Sequence, residues 1–188
     1  DAQTAWAVGH HGRILKTSDG GKAWNAVASS TSYNLFSVDF VDSLTGWATG
    51  EGAIIIKTTD GGTSWFEQSV AKTDSLLKIQ FINRDTGWAA GTKGTVMKTT
   101  NGGTDWITKA TGTVSDIFSV RFSDAANGWL AGDNGTILRT TDGGESWSAV
   151  NSGTIHLFFD IHIGSNGTGW AVGWFYGFYK TTDGGMDW

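Results

Sequence analysis

Cysteine and proline are both absent from this chain of 188 residues. Without cysteine there is no disulfide framework, no thiolate metal site and no thiol nucleophile. Without proline, every backbone N–H is free to join a strand ladder. Charged residues make up only 16 % of the chain, and the formal net charge is −5. No run of like charge occurs, and no basic stretch of the kind a nucleic-acid face requires, which argues against nucleic acid as a partner. No apolar run reaches membrane-spanning length. No signal peptide is visible, and the chain opens at Asp1, so a preceding segment is expected to have been processed away or to lie outside this sequence.

What the chain does contain is glycine, 28 residues of it, and 11 tryptophans. Tryptophans fall at positions 6, 47, 88, 129 and 170, and again at 24, 65, 106, 147 and 188, each series stepping by 41. Between them the turns Asp19-Gly20-Gly21, Asp60-Gly61-Gly62, Asn101-Gly102-Gly103, Asp142-Gly143-Gly144 and Asp183-Gly184-Gly185 keep the same step. Only Trp174 stands outside the template. A fixed period of this length marks a repeat architecture.

Each unit reads as four short strands, A to D. In the second, strand A is Leu35–Phe40, in which apolar Phe36, Val38 and Phe40 alternate with polar Ser37 and Asp39. Strand B surrounds Gly46-Trp47-Ala48-Thr49-Gly50, strand C is Ala53–Thr59 and strand D begins near Trp65. No helix of ordinary length fits. About forty residues in four strands is the signature of a propeller blade, so the fold class is all-β, a β-propeller of antiparallel four-stranded meanders. The units are 1–34, 35–75, 76–116, 117–157 and 158–188. The first lacks its strand A and the last stops at Trp188, at the start of strand D. The chain is therefore a five-bladed ring with ragged ends or a piece of a longer array.

The Thr-Thr-Asp-Gly-Gly-x-x-Trp turn has a physical logic. The carboxylate accepts backbone N–H groups nearby, the glycines supply conformations closed to other residues, and the indole is expected to fold back and fill space between blades. Lys57-Thr58-Thr59-Asp60-Gly61-Gly62-Thr63-Ser64-Trp65 resembles the Asp-box of sialidases, sortilin-type receptors and xyloglucan-degrading glycosidases. With Gly-Trp-Ala-x-Gly upstream, the unit resembles most closely the repeats of photosystem II stability/assembly factor-like proteins, which also occur in many secreted bacterial proteins. The resemblance spans the whole chain. It implies the fold, whereas function must be argued from sites.

Positions that recur read as architecture: Asp19, Asp60, Asn101, Asp142 and Asp183 with Trp24, Trp65, Trp106, Trp147 and Trp188. The third copy keeps the acceptor and loses the acidity, which a turn tolerates and proton transfer does not. A cation precedes each box (Lys16, Lys57, Lys98, Arg139, Lys180) and reads as a solvated strand-end charge, with an anion-binding ring as the alternative. Arg13, Arg84, Arg121 and Arg139 occupy four different template positions, so no sialidase-like arginine cluster is assembled, and no catalytic residue is assigned. His10 and His11 are adjacent and would point apart on a strand, and with His156 and His162 they show no metal spacing; no metal and no cofactor is expected. Asn134-Gly135-Thr136 and Asn166-Gly167-Thr168 match the glycan-acceptor pattern, which matters only in a eukaryotic secretory protein.

Variation is concentrated elsewhere. The B–C turns read His10-His11-Gly12, Glu51-Gly52-Ala53, Thr92-Lys93-Gly94, Asp133-Asn134-Gly135 and Trp174-Phe175-Tyr176, and the D–A connections Ser32-Tyr33-Asn34, Thr73-Asp74-Ser75, Val114-Ser115-Asp116 and Thr154-Ile155-His156. In an antiparallel meander these two sets leave from one edge and the A–B and box turns from the other. The varied edge is therefore expected to be the recognition face, contributed by Trp174, Phe175, Tyr176, His10, His11, Glu51, Lys93, Asp133, Asn134, Tyr33 and His156. Asp39, Gln80, Arg121 and His162 on the innermost strands are expected to line a water-filled channel. The function these residues point to is a non-catalytic, exported module (extracellular, cell-surface or periplasmic) that binds a protein or a carbohydrate. Two alternatives stay open: a fragment of a glycoside hydrolase, and a structural array in which the aromatic cluster is a contact with another copy or with further blades.

Overall fold

In a computed structural model, described for residues 3–70, 74–164, 166–175 and 177–188, the chain is all-β. Five antiparallel sheets follow one another. They are β1 (Ala5–Val8), β2 (Ile14–Thr17) and β3 (Asn25–Val27); β4 (Leu35–Phe40), β5 (Gly46–Gly50), β6 (Ile55–Thr58) and β7 (Phe66–Glu67); β8 (Leu76–Phe81), β9 (Gly87–Gly91), β10 (Val96–Thr99) and β11 (Ile107–Lys109); β12 (Ile117–Phe122), β13 (Gly128–Gly132), β14 (Ile137–Thr140) and β15 (Ser148–Val150); and β16 (Phe158–Ile163), β17 (Gly169–Gly173) and β18 (Phe178–Thr181). These are propeller blades, the first without strand A and the last without strand D. The only helical elements among the described residues are three-residue 3₁₀ turns. The chain forms two compact units, Asp1–Gly87 with Thr99–Trp106, and Trp88–Lys98 with Ile107–Trp188.

One layered contact repeats through both units. In the first, the strand-B indole of Trp6 stacks on Phe40 of the next blade at 3.6 Å, and Trp47 stacks on Phe81 at 3.5 Å. In the second, Trp88 stacks on Phe122 at 3.5 Å. The glycine before the strand-B tryptophan of the three middle blades packs against the phenylalanine ring of its own blade: a Cβ at Gly46, Gly87 or Gly128 would come within 2.5–2.6 Å of Phe40, Phe81 or Phe122. Gly-Trp is thus one packing device, with the glycine admitting one ring and the tryptophan covering the next. In the last blade Ile163 takes the phenylalanine's place, over Gly169 and in one core cluster with Trp129.

Box tryptophans were expected between blades, but strand B supplies the interblade indole. Trp65, Trp106 and Trp147 instead stand edge-on to Phe40, Phe81 and Phe122 of their own blades, each at 5.8 Å. Trp24, whose blade has no strand A to offer a ring, stays 42 % exposed. Trp188 packs against the Trp129 cluster.

Each box turn closes by one scheme. Asp60 Oδ1 accepts the Thr58 hydroxyl at 2.8 Å and the N–H groups of Thr63 and Ser64 at 2.9 Å, while Thr58 Oγ1 accepts Gly62 N–H. Asp19, Asp142 and Asp183 repeat it. Asn101 keeps the acceptor, and its amide donates to Asp105 Oδ2 at 2.8 Å, reversing the polarity of the Ser64-to-Asp60 bond. The second glycine of each box leaves room for the preceding blade's indole: a Cβ at Gly62 would lie 2.5 Å from Trp6 Nε1, and one at Gly185 2.6 Å from Trp129 Nε1.

Strand A departs from simple alternation. A bulge between Leu35 and Ser37 recurs between Ile117 and Ser119 and between Phe158 and Asp160. An extra residue turns the local side-chain order by one. Leu35 is buried, Ser37 nearly so, and Phe36, one of the apolar residues of the alternation, is 45 % exposed.

Two predictions follow from these contacts. Trp47 is fully buried, and Trp47→Ala should lower stability by about 3–5 kcal/mol in urea denaturation. The donors around Asp60, led by the Ser64 hydroxyl, hold its carboxyl down at about 2, and Asp42 and Asp124 are held equally low by Arg84 and Asn127. Depressed carboxylates stabilise the fold above the unfolded value near ~4 and lose that contribution as pH falls through the folded value. Stability should therefore decline between about pH 4 and pH 2, and Asp60→Asn should be less stable at pH 7 and show a shallower acid limb.

Candidate functional site

The B–C turns and D–A connections are hydrogen-bonded into one edge within each unit. In the first, Asn34 bridges two turns: its Oδ1 accepts His11 N–H and its carbonyl accepts Glu51 N–H, both at 2.9 Å. In the second, Asp116 does the same for Lys93 and Asp133, both at 2.8 Å. Asn134 Nδ2 reaches Ser115 Oγ at 3.4 Å, and Gly135 N–H bonds the His156 carbonyl. The bridging residues, Asn34 and Asp116, share one template position in the D–A connections, and their bridging role carries no signal in the sequence.

These turns hold consecutive left-handed residues: His11 and Gly12, Gly52 and Ala53, Lys93 and Gly94, Asn134 and Gly135, with Phe175 in the same state. The histidine pair therefore sits in a turn rather than a strand, with ring centroids 6.5 Å apart. At Gly12, Gly94 and Gly135 a Cβ would also overlap the carbonyl oxygen of Thr31, Thr113 or Thr154 in the adjoining connection. Tyr33 is exposed and lies over Gly52.

At the last blade of the second unit this edge turns aromatic. Phe175, 72 % exposed with φ +53°, stands 5.2 Å from the His156 ring and 5.7 Å from Trp174. Trp174 N–H bonds the Leu157 carbonyl, and Phe158 pairs with Gly173, so the bulged Phe159 belongs to the same sheet end. Phe159 lies 6.3 Å from Phe118, and Val114 and Ile155 are exposed on the connections. Tyr176, counted with this cluster from the sequence, lies outside the described residues, as does Thr73.

The inner-strand polar series is partly engaged. Asp39 Oδ2 accepts Phe81 N–H at 2.6 Å and Ser37 Oγ accepts Ile79 N–H, so strand β4 caps the backbone of β8, which also carries Gln80. In the second unit Ser119 donates to Asp160 at 2.5 Å, and Arg121 pairs with the same carboxylate at 3.6 Å. His162 is exposed on β16. Asp39 and Gln80 fall in the first unit, Arg121 and His162 in the second.

At the box edge three of the pre-box cations, Lys16, Lys57 and Lys98, reach across to the next blade, while Lys180 is exposed. Lys16 Nζ donates to Gly61 O and Lys57 Nζ to Gly102 O, each at 2.8 Å. Trp47 Nε1 shares Gly102 O, and the lysines also sit over Trp6 and Trp47. Burial pushes the Lys57 ammonium below its ordinary value. Asp19, Asp42, Asp60, Asp124, Asp142, Asp183 and Glu145 all lie below the ordinary carboxylate range, which is the wrong direction for a general acid. Among the described residues no cluster of three metal-ligating side chains occurs, and no helix is long and apolar enough to cross a membrane.

The family model described as photosynthesis system II assembly factor YCF48 matches residues 1–73 and 65–154. The chain belongs to that family. No curated protein matches it. Among solved structures, one described as YCF48 bound to D1 peptide is 19 % identical with a TM-score of 0.71, covering all of this chain and 77 % of its own. YCF48 from Cyanidioschyzon merolae is 20 % identical with a TM-score of 0.75, covering 96 % of this chain and 66 % of its own. An ancestral GH74 enzyme is 20 % identical with a TM-score of 0.77, covering 92 % of this chain and 26 % of its own. At these identities the likeness is one of fold.

The turn geometry predicts opposite effects at two equivalent edges. Gly135→Ala should cost at least about 1–3 kcal/mol, because it adds a positive-φ penalty to an overlap with Thr154. Phe175→Gly relieves a positive φ and should be neutral or stabilising by up to ~1 kcal/mol, both variants being measured by urea denaturation.

Proposed function

We propose that this YCF48-family chain is a non-catalytic binding propeller that recognises an extended segment of a partner protein along the B–C turn and D–A connection edge. The observation that carries this reading is the exposed apolar set Val114, Ile155, Phe159, Trp174 and Phe175, held on a backbone whose turns are already hydrogen-bonded. Aromatic anchors on a preorganised scaffold are what concentrates binding energy at an interface. A peptide can lay alternate side chains across such rings while its main chain meets the polar groups of the turns.

Two further observations support it. The family is one of assembly factors, and a structural relative is described as bound to a D1 peptide. The repeated carboxylates of the box turns are absorbed in turn closure, so they are not the groups on which hydrolysis would be built.

The test is binding of a D1 peptide measured by surface plasmon resonance, beside a panel of polysaccharides. Trp174→Ala should weaken peptide binding by about tenfold or more, in line with a buried aromatic anchor. Polysaccharide turnover, or peptide binding untouched by Trp174→Ala and abolished by changes at the box edge, would overturn the assignment.

A further inference from the structure

The two interfaces of the second unit carry the same three template positions with different residues at each. At the first, Lys98 and Lys109 grip the two oxygens of Glu145 at 2.7 and 2.6 Å. One period of 41 later, Arg139 stands where Lys98 was, Val150 replaces Lys109, and Met186 replaces Glu145. The cation is kept and its internal carboxylate is gone. Arg139 Nε is buried and has no hydrogen-bond partner among the described residues. The carbonyl of Gly184, equivalent to the one that takes Lys57, is engaged by Trp129 Nε1 at 3.2 Å.

Beside Arg139 lies a cavity of about 280 Å³ lined by Thr140, Ser146, Ser148, Asn151 and Met186, among others. The nearby acid, Asp142, is committed to its own box through Thr140, Ser146 and the Glu145 N–H. A guanidinium presents paired donors whose spacing matches a carboxylate, and serine and asparagine side chains supply further donors at the rim. Burying part of a cation without a counter-charge is costly, so an arriving carboxylate relieves a penalty already present in the free protein.

We infer that this cavity is a carboxylate-binding site, filled from outside by the group that Glu145 supplies internally one blade earlier. It runs along strand D from the box turn to Val150 and Asn151, contains none of the aromatic set of the turn-and-connection edge, and does not depend on the binding function assigned to that edge. The ligand class is a carboxylate on a flexible, peptide-sized carrier, either a chain terminus or an acidic side chain.

Isothermal titration with three blocked tripeptides of small apolar residues tests it: one with a free C-terminal carboxylate, its C-terminal amide, and an amide carrying one internal glutamate. One or both acidic probes should bind and the plain amide should not; which acidic probe binds identifies the source. Arg139→Met should weaken binding by about tenfold or more. Met186→Glu should block it to a similar degree by restoring the internal carboxylate, with an unfolding temperature at least equal to the original, so a folding defect in Arg139→Met leaves the question decidable. Trp174→Ala should leave it unchanged, separating this site from the turn edge. Absence of binding by both acidic probes, equal binding of acid and amide, or binding that survives both Arg139→Met and Met186→Glu overturns the inference.

Discussion

The stacking of a strand-B indole on a phenylalanine of the following blade is the contact on which the rest of the architecture depends. Rings at 3.5–3.6 Å, with a glycine of its own blade packed against the phenylalanine, set how close two blades come. That spacing in turn places the box glycines under the indole nitrogen and brings their carbonyls within reach of Trp47, Trp88 and Trp129. Lys16 and Lys57 close the same joint from strand C. Aromatic stacking, a missing Cβ and a charge-assisted hydrogen bond therefore act at one place, and each explains a recurring residue.

Much of this was legible in the sequence, because a packing unit that repeats without insertion must repeat its residues. The 41-residue step, the four-stranded unit, the incomplete end blades and the turn role of Asp60 all follow from spacing and turn chemistry. Three features were not legible. The bulge that expels Phe36 depends on main-chain register, and a Leu-Phe-Ser run reads equally well as plain alternation. The partner of Lys57 is in the next blade, a distance in space that local pattern cannot supply. The bridging role of Asn34 and Asp116 was hidden because an isolated polar residue in a variable connection resembles solvent-facing filler.

The two ends of each blade divide the work differently. At the box end the turn-closing donors and acceptors recur from blade to blade, and departures such as Met186 for Glu145 fall within that fixed frame. At the other end the backbone scheme is kept while the side chains change in every blade, from His10 and His11 to Trp174 and Phe175. A conserved main-chain frame that carries unlike side chains is how a rigid repeat acquires recognition without altering its fold. The depressed carboxylates of the box aspartates serve their turns, and that of Glu145 serves the joint with Lys98 and Lys109.

Hydrogen–deuterium exchange on the chain with and without a bound D1 peptide tests the central claim most directly. Slowed exchange at residues 133–135, 154–159 and 173–175, with the box turns at 142–147 unchanged, is the predicted footprint. Protection confined to the box turns, with the B–C turns and D–A connections exchanging as in the free protein, would contradict it.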